Sequence, residues 1–248
     1  MSDLHLEFIK PTHMERFLKQ IPPGLDEICI LAGDIGNPYQ PNYDSFMKFI
    51  SKNFMKSFVI PGNHEYYGSP IEETNLHMDQ YFKPFENISL LKDRCEMYGG
   101  YCFVGTTLWS YVTNPKYKIN DVYKIPGFDY IQYNRLHRES VDFLEDALQN
   151  DCVVITHHMP STSLIDTKYL TSMRPYNQWF ACDMDRLFAP NIKAWFYGHT
   201  HTPSVTTIKD VPFLCNPIGY PGENKSFDFG ATFTLPLIGL KSKVHVKE

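Results

Sequence analysis

The chain of 248 residues carries 23 Lys and Arg against 28 Asp and Glu, a formal charge of −5 with histidine neutral, and 43% of its residues are hydrophobic. That length and apolar content exclude a disulfide-stapled miniprotein and an intrinsically disordered chain, while the acidic balance argues against broad electrostatic adhesion to nucleic acid or an anionic membrane. The 6 cysteines are scattered without a Cys-x-x-Cys pair, which suggests neither a thiolate zinc site nor a compact disulfide framework, so reduced and mostly buried thiols are expected.

From the N-terminus the chain reads Met1-Ser2-Asp3-Leu4-His5, with acids where a signal peptide needs Lys or Arg. No apolar stretch approaches about 18 residues, so the expectation is a soluble, cytoplasmic protein without a membrane partner. Thr12 with Glu15 forms the pattern of a capping box and predicts a first helix. Ile28 to Ala32 reads as a short buried strand and runs into Gly33-Asp34. Tyr43 to Phe54 places Phe46, Phe49 and Ile50 on one helical face. The strand Ser57 to Ile60 leads into Pro61-Gly62-Asn63-His64-Glu65, and Ser69 with Pro70 and Glu72 marks another helix start.

Residues 97–133 contain the strand Tyr101 to Gly105 and are dense in aromatics; within a single domain spanning 1–248 they read either as a cap over a site or as peripheral packing. Leu136 to Leu148 repeats apolar residues at helical spacing. Val153 to Thr156 is a strand entering His157-His158, and Ala194 to Tyr197 is a strand entering Gly198-His199-Thr200-His201. Val211 to Cys215 reads as a further buried strand, and Lys243 to Lys247 alternates like a half-exposed one.

Alternating strands and helices indicate an α/β architecture, in which the carboxyl ends of strands share one rim. Four of the strands end in potential ligands, and Asp3-x-His5 adds a pair. Asp3, His5, Asp34, Asn63, His157, His199 and His201 mix oxygen and imidazole donors without thiolate, a set suited to manganese, iron or zinc. One catalytic zinc takes about three or four protein ligands, so two divalent ions sharing a bridging carboxylate is the economical interpretation.

The ordered motifs Asp3-x-His5, Gly33-Asp34, Gly62-Asn63-His64-Glu65, Thr156-His157-His158 and Gly198-His199-Thr200-His201 resemble the calcineurin-like metallophosphoesterase superfamily, in its small phosphohydrolase branch, from Asp3 to about Gly222. The resemblance implies a four-layer α-β-β-α sandwich of two mixed sheets. It implies one metal ion held by Asp3, His5, Asp34 and His201 and a second by Asp34, Asn63, His157 and His199, with Asp34 as the bridge. A hydroxide between the ions would attack a phosphomonoester or phosphodiester of a small molecule or nucleotide. His64 would protonate the leaving oxygen or stabilise the transition state, and Glu65 would orient the loop. His157 rather than His158 is assigned as ligand from its spacing to Pro160.

Three departures narrow the expectation. The protein serine/threonine phosphatase branch follows Gly-Asp with two residues and then Asp-Arg-Gly, whereas Gly33-Asp34 here continues Ile35-Gly36-Asn37-Pro38, so protein phosphatase activity is not expected. Asn216-Pro217-Ile218-Gly219-Tyr220 resembles an Asn-Pro-Arg-Gly-Tyr segment with Ile218 in the Arg position, and Arg174 reads either as an alternative anion contact or, in preference, as an exposed, solvated side chain. Family members place an apolar strand before Asp-x-His, so the first strand is expected to be missing and the first ion's site weakened. Two other readings stand beside the hydrolase: a metal-binding or protein-interaction scaffold that keeps the fold without turnover, and an RNA or DNA phosphodiesterase, which the net acidity disfavours. The oligomeric state is left open.

Overall fold

The structure, a computed structural model, describes residues 1–225 and 227–235. In chain order its elements are α1 (Met14–Leu18), β1 (Gly24–Ala32), α2 (Pro41–Asn53), β2 (Phe54–Ile60), α3 (Ile71–Phe82), β3 (Ile88–Leu90), β4 (Arg94–Tyr98), β5 (Tyr101–Thr106), α4 (Asp121–Lys124), α5 (Tyr130–Ala147), β6 (Cys152–Thr156), α6 (Thr167–Ser172), β7 (Ile192–Phe196), β8 (Ser204–Ile208) and β9 (Val211–Cys215).

Two sheets face each other. The smaller is parallel in the order β1-β2-β3, and the larger is mixed in the order β4-β5-β6-β7-β9-β8, with β4 and β8 antiparallel to their neighbours at the two edges. Strand alternation distributes the side chains between layers. On β6, Val153 and Ile155 join Phe58, Ile60, Phe103 and Ala194 in the core between the sheets. Cys152 and Val154 point the other way, into a second core with Leu144 of α5 and Trp195. Both faces of β6 are thus covered, which is why it reads as an uninterrupted apolar run. A third core packs Phe46 and Ile50 of α2 and Met78 of α3 against Leu31 and Val59 of the smaller sheet, completing the helix-sheet-sheet-helix order. Phe58 and Phe103 stack across the sheet interface with ring centroids 4.2 Å apart.

All six sequence-predicted strands inside the described residues occur, and the helix expected at 43–54 forms at Pro41–Asn53. The half-exposed strand expected at Lys243 to Lys247 lies outside the described residues. Neither predicted capping box forms. The chain makes a 3-10 turn at Pro11–His13, and α1 starts at Met14 with no side-chain cap. Ahead of α3, Pro70 rather than Ser69 is the N-cap, and the Ser69 hydroxyl lies 3.3 Å from Tyr39 Oη. Helix α5 begins six residues before the predicted Leu136, because Asp129 caps it by accepting from the backbone N–H of Ile131 and Gln132 at 3.0 and 2.9 Å.

No strand precedes Asp3 among the described residues. Met1–Asp3 is nevertheless fixed on both sides: Ala32 N donates to Met1 O at 2.9 Å and Asp3 N to Gly33 O at 3.0 Å. On the other flank, Ser2 N donates to Asn216 O at 3.2 Å and Gly219 N to Asp3 O at 3.0 Å. The stretch 97–133 contributes β5 to the larger sheet, and its later part brings Ile119, Asn120 and Asp121 to the rim where β1, β2, β6 and β7 end.

Candidate metal centre

Parallel strands β1, β2, β6 and β7 bring their carboxyl ends to one rim, and the chain turns sharply directly after β1. Gly33 has φ +82°, and a Cβ there or at Gly62 would overlap His157 or Asp34, so the loops approach one another only because those side chains are absent. Asp3, His5, Asp34 and His199 themselves have φ of 50°, 48°, 52° and 64°. A non-glycine residue in this region costs about 1–3 kcal/mol unless its surroundings impose it. Here they do: His5 N donates to Asp34 O at 3.0 Å, and His199 N to Asp3 Oδ1 at 3.0 Å.

The seven donors predicted from sequence converge. Asp3, His5 and His201 offer one ligand atom each within 4.8 Å of one another, and so do Asp34, His157 and His199. Asp34 stands between the two groups. Its Oδ1 lies 3.3 Å from His157 Nε2, and its Oδ2 lies 4.0 Å from His5 Nε2. Asn63 joins the second group through Oδ1, 3.0 Å from His157 Nε2. His5 Nε2 and His201 Nε2 are 3.1 Å apart in the first.

Three of the four imidazoles are held by a group behind them, which leaves the other nitrogen for the centre. His157 Nδ1 donates to Ala32 O at 2.9 Å, His5 Nδ1 to Glu7 Oε1 at 3.3 Å, and His201 Nδ1 to Glu223 Oε2 at 2.6 Å. Asn63 is oriented in the same manner, its Nδ2 donating to Asp121 Oδ1 at 2.8 Å. His158 is tied elsewhere, with Nε2 3.0 Å from Tyr133 Oη and Nδ1 3.3 Å from Thr107 O.

Glu65 fixes the turn. Its carboxylate accepts four backbone N–H bonds, from Ile35 and Gly36 on Oε1 at 2.7 and 3.2 Å and from Gly62 and Asp34 on Oε2 at 2.7 and 3.0 Å. Burial and the Asp34 charge push its acid up to about 7, while the N–H donors pull the other way. None of those four partners can accept a proton, so the pocket is built for the ionised form.

The electrostatics suit cations. Burial opposes the charge on Asp34, yet the surrounding imidazoles, His157 foremost, hold its carboxyl well below the usual range. Burial likewise works against protonated His157, but the Asp34 carboxylate raises it to about 10. His199 is driven the opposite way by burial and by the charges of His158 and His157, so it stays neutral. Its Nε2 and Asp3 Oδ2 are buried without a hydrogen-bond partner among the described residues. Two orphaned lone pairs amid carboxylate and imidazole donors fit divalent ions and would be costly without them.

His64 borders this centre without joining either donor group around Asp34. Its Nδ1 donates to Glu7 Oε1 at 2.8 Å, and its Nε2 lies 3.9 Å from Asp34 Oδ2 and 3.4 Å from Tyr220 Oη. Glu7 thereby serves His5 and His64 together, and those two hydrogen bonds hold its carboxyl below the ordinary range despite burial. The Tyr220 ring sits 4.8 Å from both His5 and His201. A cavity of about 240 Å³ opens beside Asp34, His64 and His199, with an apolar wall that includes Ile119, Met159 and Phe180. Arg174 is exposed and outside its lining, and Ile218 brings no charge, so neither supplies the anion contact weighed for them.

Glu7, Asp121 and Glu223 are the functional residues that motif reasoning missed. The alternation Asp3-x-His5-x-Glu7 carried a signal for the first; the other two lie in segments without a recognisable pattern.

The calcineurin-like phosphoesterase family model matches residues 1–203. An uncharacterized protein of Acanthamoeba polyphaga mimivirus is 30% identical over 261 aligned positions, covering 92% of each chain. Among solved structures, the phosphopantetheinyl hydrolase of Mycobacterium tuberculosis superposes with a TM-score of 0.69 at 17% identity, covering 89% of this chain and 88% of that one. The protein TT1561 of Thermus thermophilus does so at 0.58 with 12% identity, covering 88% and 87%.

Proposed function

The chain belongs to the calcineurin-like phosphoesterase family of metal-dependent hydrolases, and on that premise we propose a dinuclear phosphohydrolase acting on a small-molecule or nucleotide phosphoester. The observation that carries the reading is Asp34, whose two carboxylate oxygens address two separate donor groups at 3.3 and 4.0 Å. One ion, manganese, iron or zinc, would be held by Asp3, His5, Asp34 and His201, and the other by Asp34, Asn63, His157 and His199. Bound there, the ions would acidify water and neutralise charge growing on the phosphoryl oxygens.

The chain's own residues do the rest. Glu7 holds His64 by Nδ1 and so aims Nε2 at the leaving oxygen, to which the ring, when protonated on both nitrogens, delivers its Nε2 proton. Tyr220 adds a hydroxyl beside that nitrogen, and burial keeps its phenol protonated as a donor. Ile119, Met159 and Phe180 offer the leaving group an apolar wall. A cavity of about 240 Å³ suits a small organic leaving group.

The test is metal content by mass spectrometry, together with turnover of p-nitrophenyl phosphate and bis-p-nitrophenyl phosphate with added manganese. Two ions per chain are expected, and a loss of about a hundredfold or more in kcat for His64→Ala with the ions retained. Bound ions with no turnover across a broad phosphoester panel would favour the scaffold reading instead.

A further inference from the structure

A second cavity, of about 530 Å³, shares Tyr220 with the first and His5 with the metal centre. Its lining differs in charge. Lys10, His13 and Arg16 line it, along with Phe8, Phe17 and Phe229, and no carboxylate does among the described residues. Neither Lys10 nor Arg16 belongs to an ion pair among the described residues, although Glu15, next to Arg16, pairs with Lys19 at 2.6 Å. The first cavity is the reverse: Asp34, Asp121 and Glu223 line it, and no Lys or Arg does. In a chain of net charge −5, a carboxylate-free cavity with three basic side chains, abutting the centre, is the kind of field that selects an anion.

Resting on the phosphohydrolase reading, the geometry points to a phosphodiester substrate whose two arms differ in charge, with an uncharged arm in the first cavity and an arm bearing a further phosphate or carboxylate in the basic cavity. A monoester would fill only one of the two spaces that meet at Tyr220. The uncharged arm leaves, because His64 faces its cavity and not the basic one. In the balanced step the oxygen of one water joins phosphorus, the bond from phosphorus to the uncharged arm's oxygen breaks, and that oxygen takes a proton. The product keeps the anionic arm as a monoester.

The probes are the p-nitrophenyl phosphodiesters of ethanol, of 3-hydroxypropionate and of 2-hydroxyethylphosphonate, each hydrolysed by manganese-loaded protein. Phosphorus is bonded alike in all three, so any difference reports the arm. For each anionic ester, kcat/KM should exceed that of the ethyl ester by about fivefold, the scale of two exposed ion pairs, and the excess should reside in KM. The preference should shrink at about 0.5 M salt and approach one in the Lys10→Ala/Arg16→Ala variant, whose exposed positions leave the fold intact. The carboxylate and phosphonate arms separate the two sources of anion. A ratio near one in the native chain, or a ratio the double substitution leaves unchanged, overturns the inference. Absence of turnover for all three esters and for p-nitrophenyl phosphate would instead overturn the phosphohydrolase reading on which it rests.

Discussion

Replacing Glu65 by Gln tests whether the turn beneath the metal centre is held as described. The carboxylate receives four backbone donors, two on each oxygen. A glutamine of the same shape offers one oxygen and one NH2, so in either amide orientation two N–H groups, either those of Asp34 and Gly62 or those of Ile35 and Gly36, meet a donor instead of an acceptor. Glu65 is 1% exposed, so water does not replace the lost partners. Each buried donor left unsatisfied costs about 1–3 kcal/mol, which puts the variant about 2–6 kcal/mol below the native chain. Its thermal midpoint should fall by at least about 4 °C. Because Asp34 is itself one of the donors and Gly62 precedes Asn63, the ions retained after gel filtration should fall as well. Urea unfolding of the chelated proteins and metal analysis of the loaded ones measure the two effects. A Glu65→Gln protein with native stability and full metal content would refute the account of this turn.

Three further outcomes follow from the geometry. Glu223→Gln removes the charge behind His201 Nδ1 while keeping its shape, and should weaken one of the two ions by about 10- to 100-fold in competition with a chelator, leaving the other in place. The pKa of His157 is raised from 6.5 to about 10 by Asp34 in the folded chain, so in the metal-free protein its proton contributes stability below pH 6.5 that is lost as pH rises through about 10. Ion uptake near pH 7.5 should therefore expel that proton and tighten with increasing pH, which calorimetry in buffers of different ionisation enthalpy measures; uptake without proton release would contradict the assignment. Phe103→Ala removes half of the stacked pair that joins the sheets, both rings being at most 1% exposed, and should cost about 3–5 kcal/mol in urea unfolding while the metal content of the folded fraction stays native.

The strands that were readable share a cause: they are covered on both faces. Strands β2, β5 and β6 carry apolar side chains to two cores at once, so their composition alone marks them. The edge strands β4 and β8 were not foreseen, because Arg94, Glu96, Thr206 and Thr207 alternate with partly exposed neighbours and resemble loop. Helix starts failed where a tertiary partner competed, as Tyr39 does for Ser69. At the site, residues following strands were legible because topology alone brings strand ends together. Glu223 was not, since it reaches His201 from a separate turn and only the folded chain brings the two within 2.6 Å.

The left-handed backbone at Asp3, His5, Asp34 and His199 has a bearing on how such a centre can change over generations. At those positions the main chain screens replacements before their chemistry counts: Asn and Gly enter at small steric cost, whereas Val, Ile and Thr collide with their own carbonyls. A lineage losing one of these ligands should therefore drift through Asn or Gly, residues that preserve the loop and leave reversion a short step away.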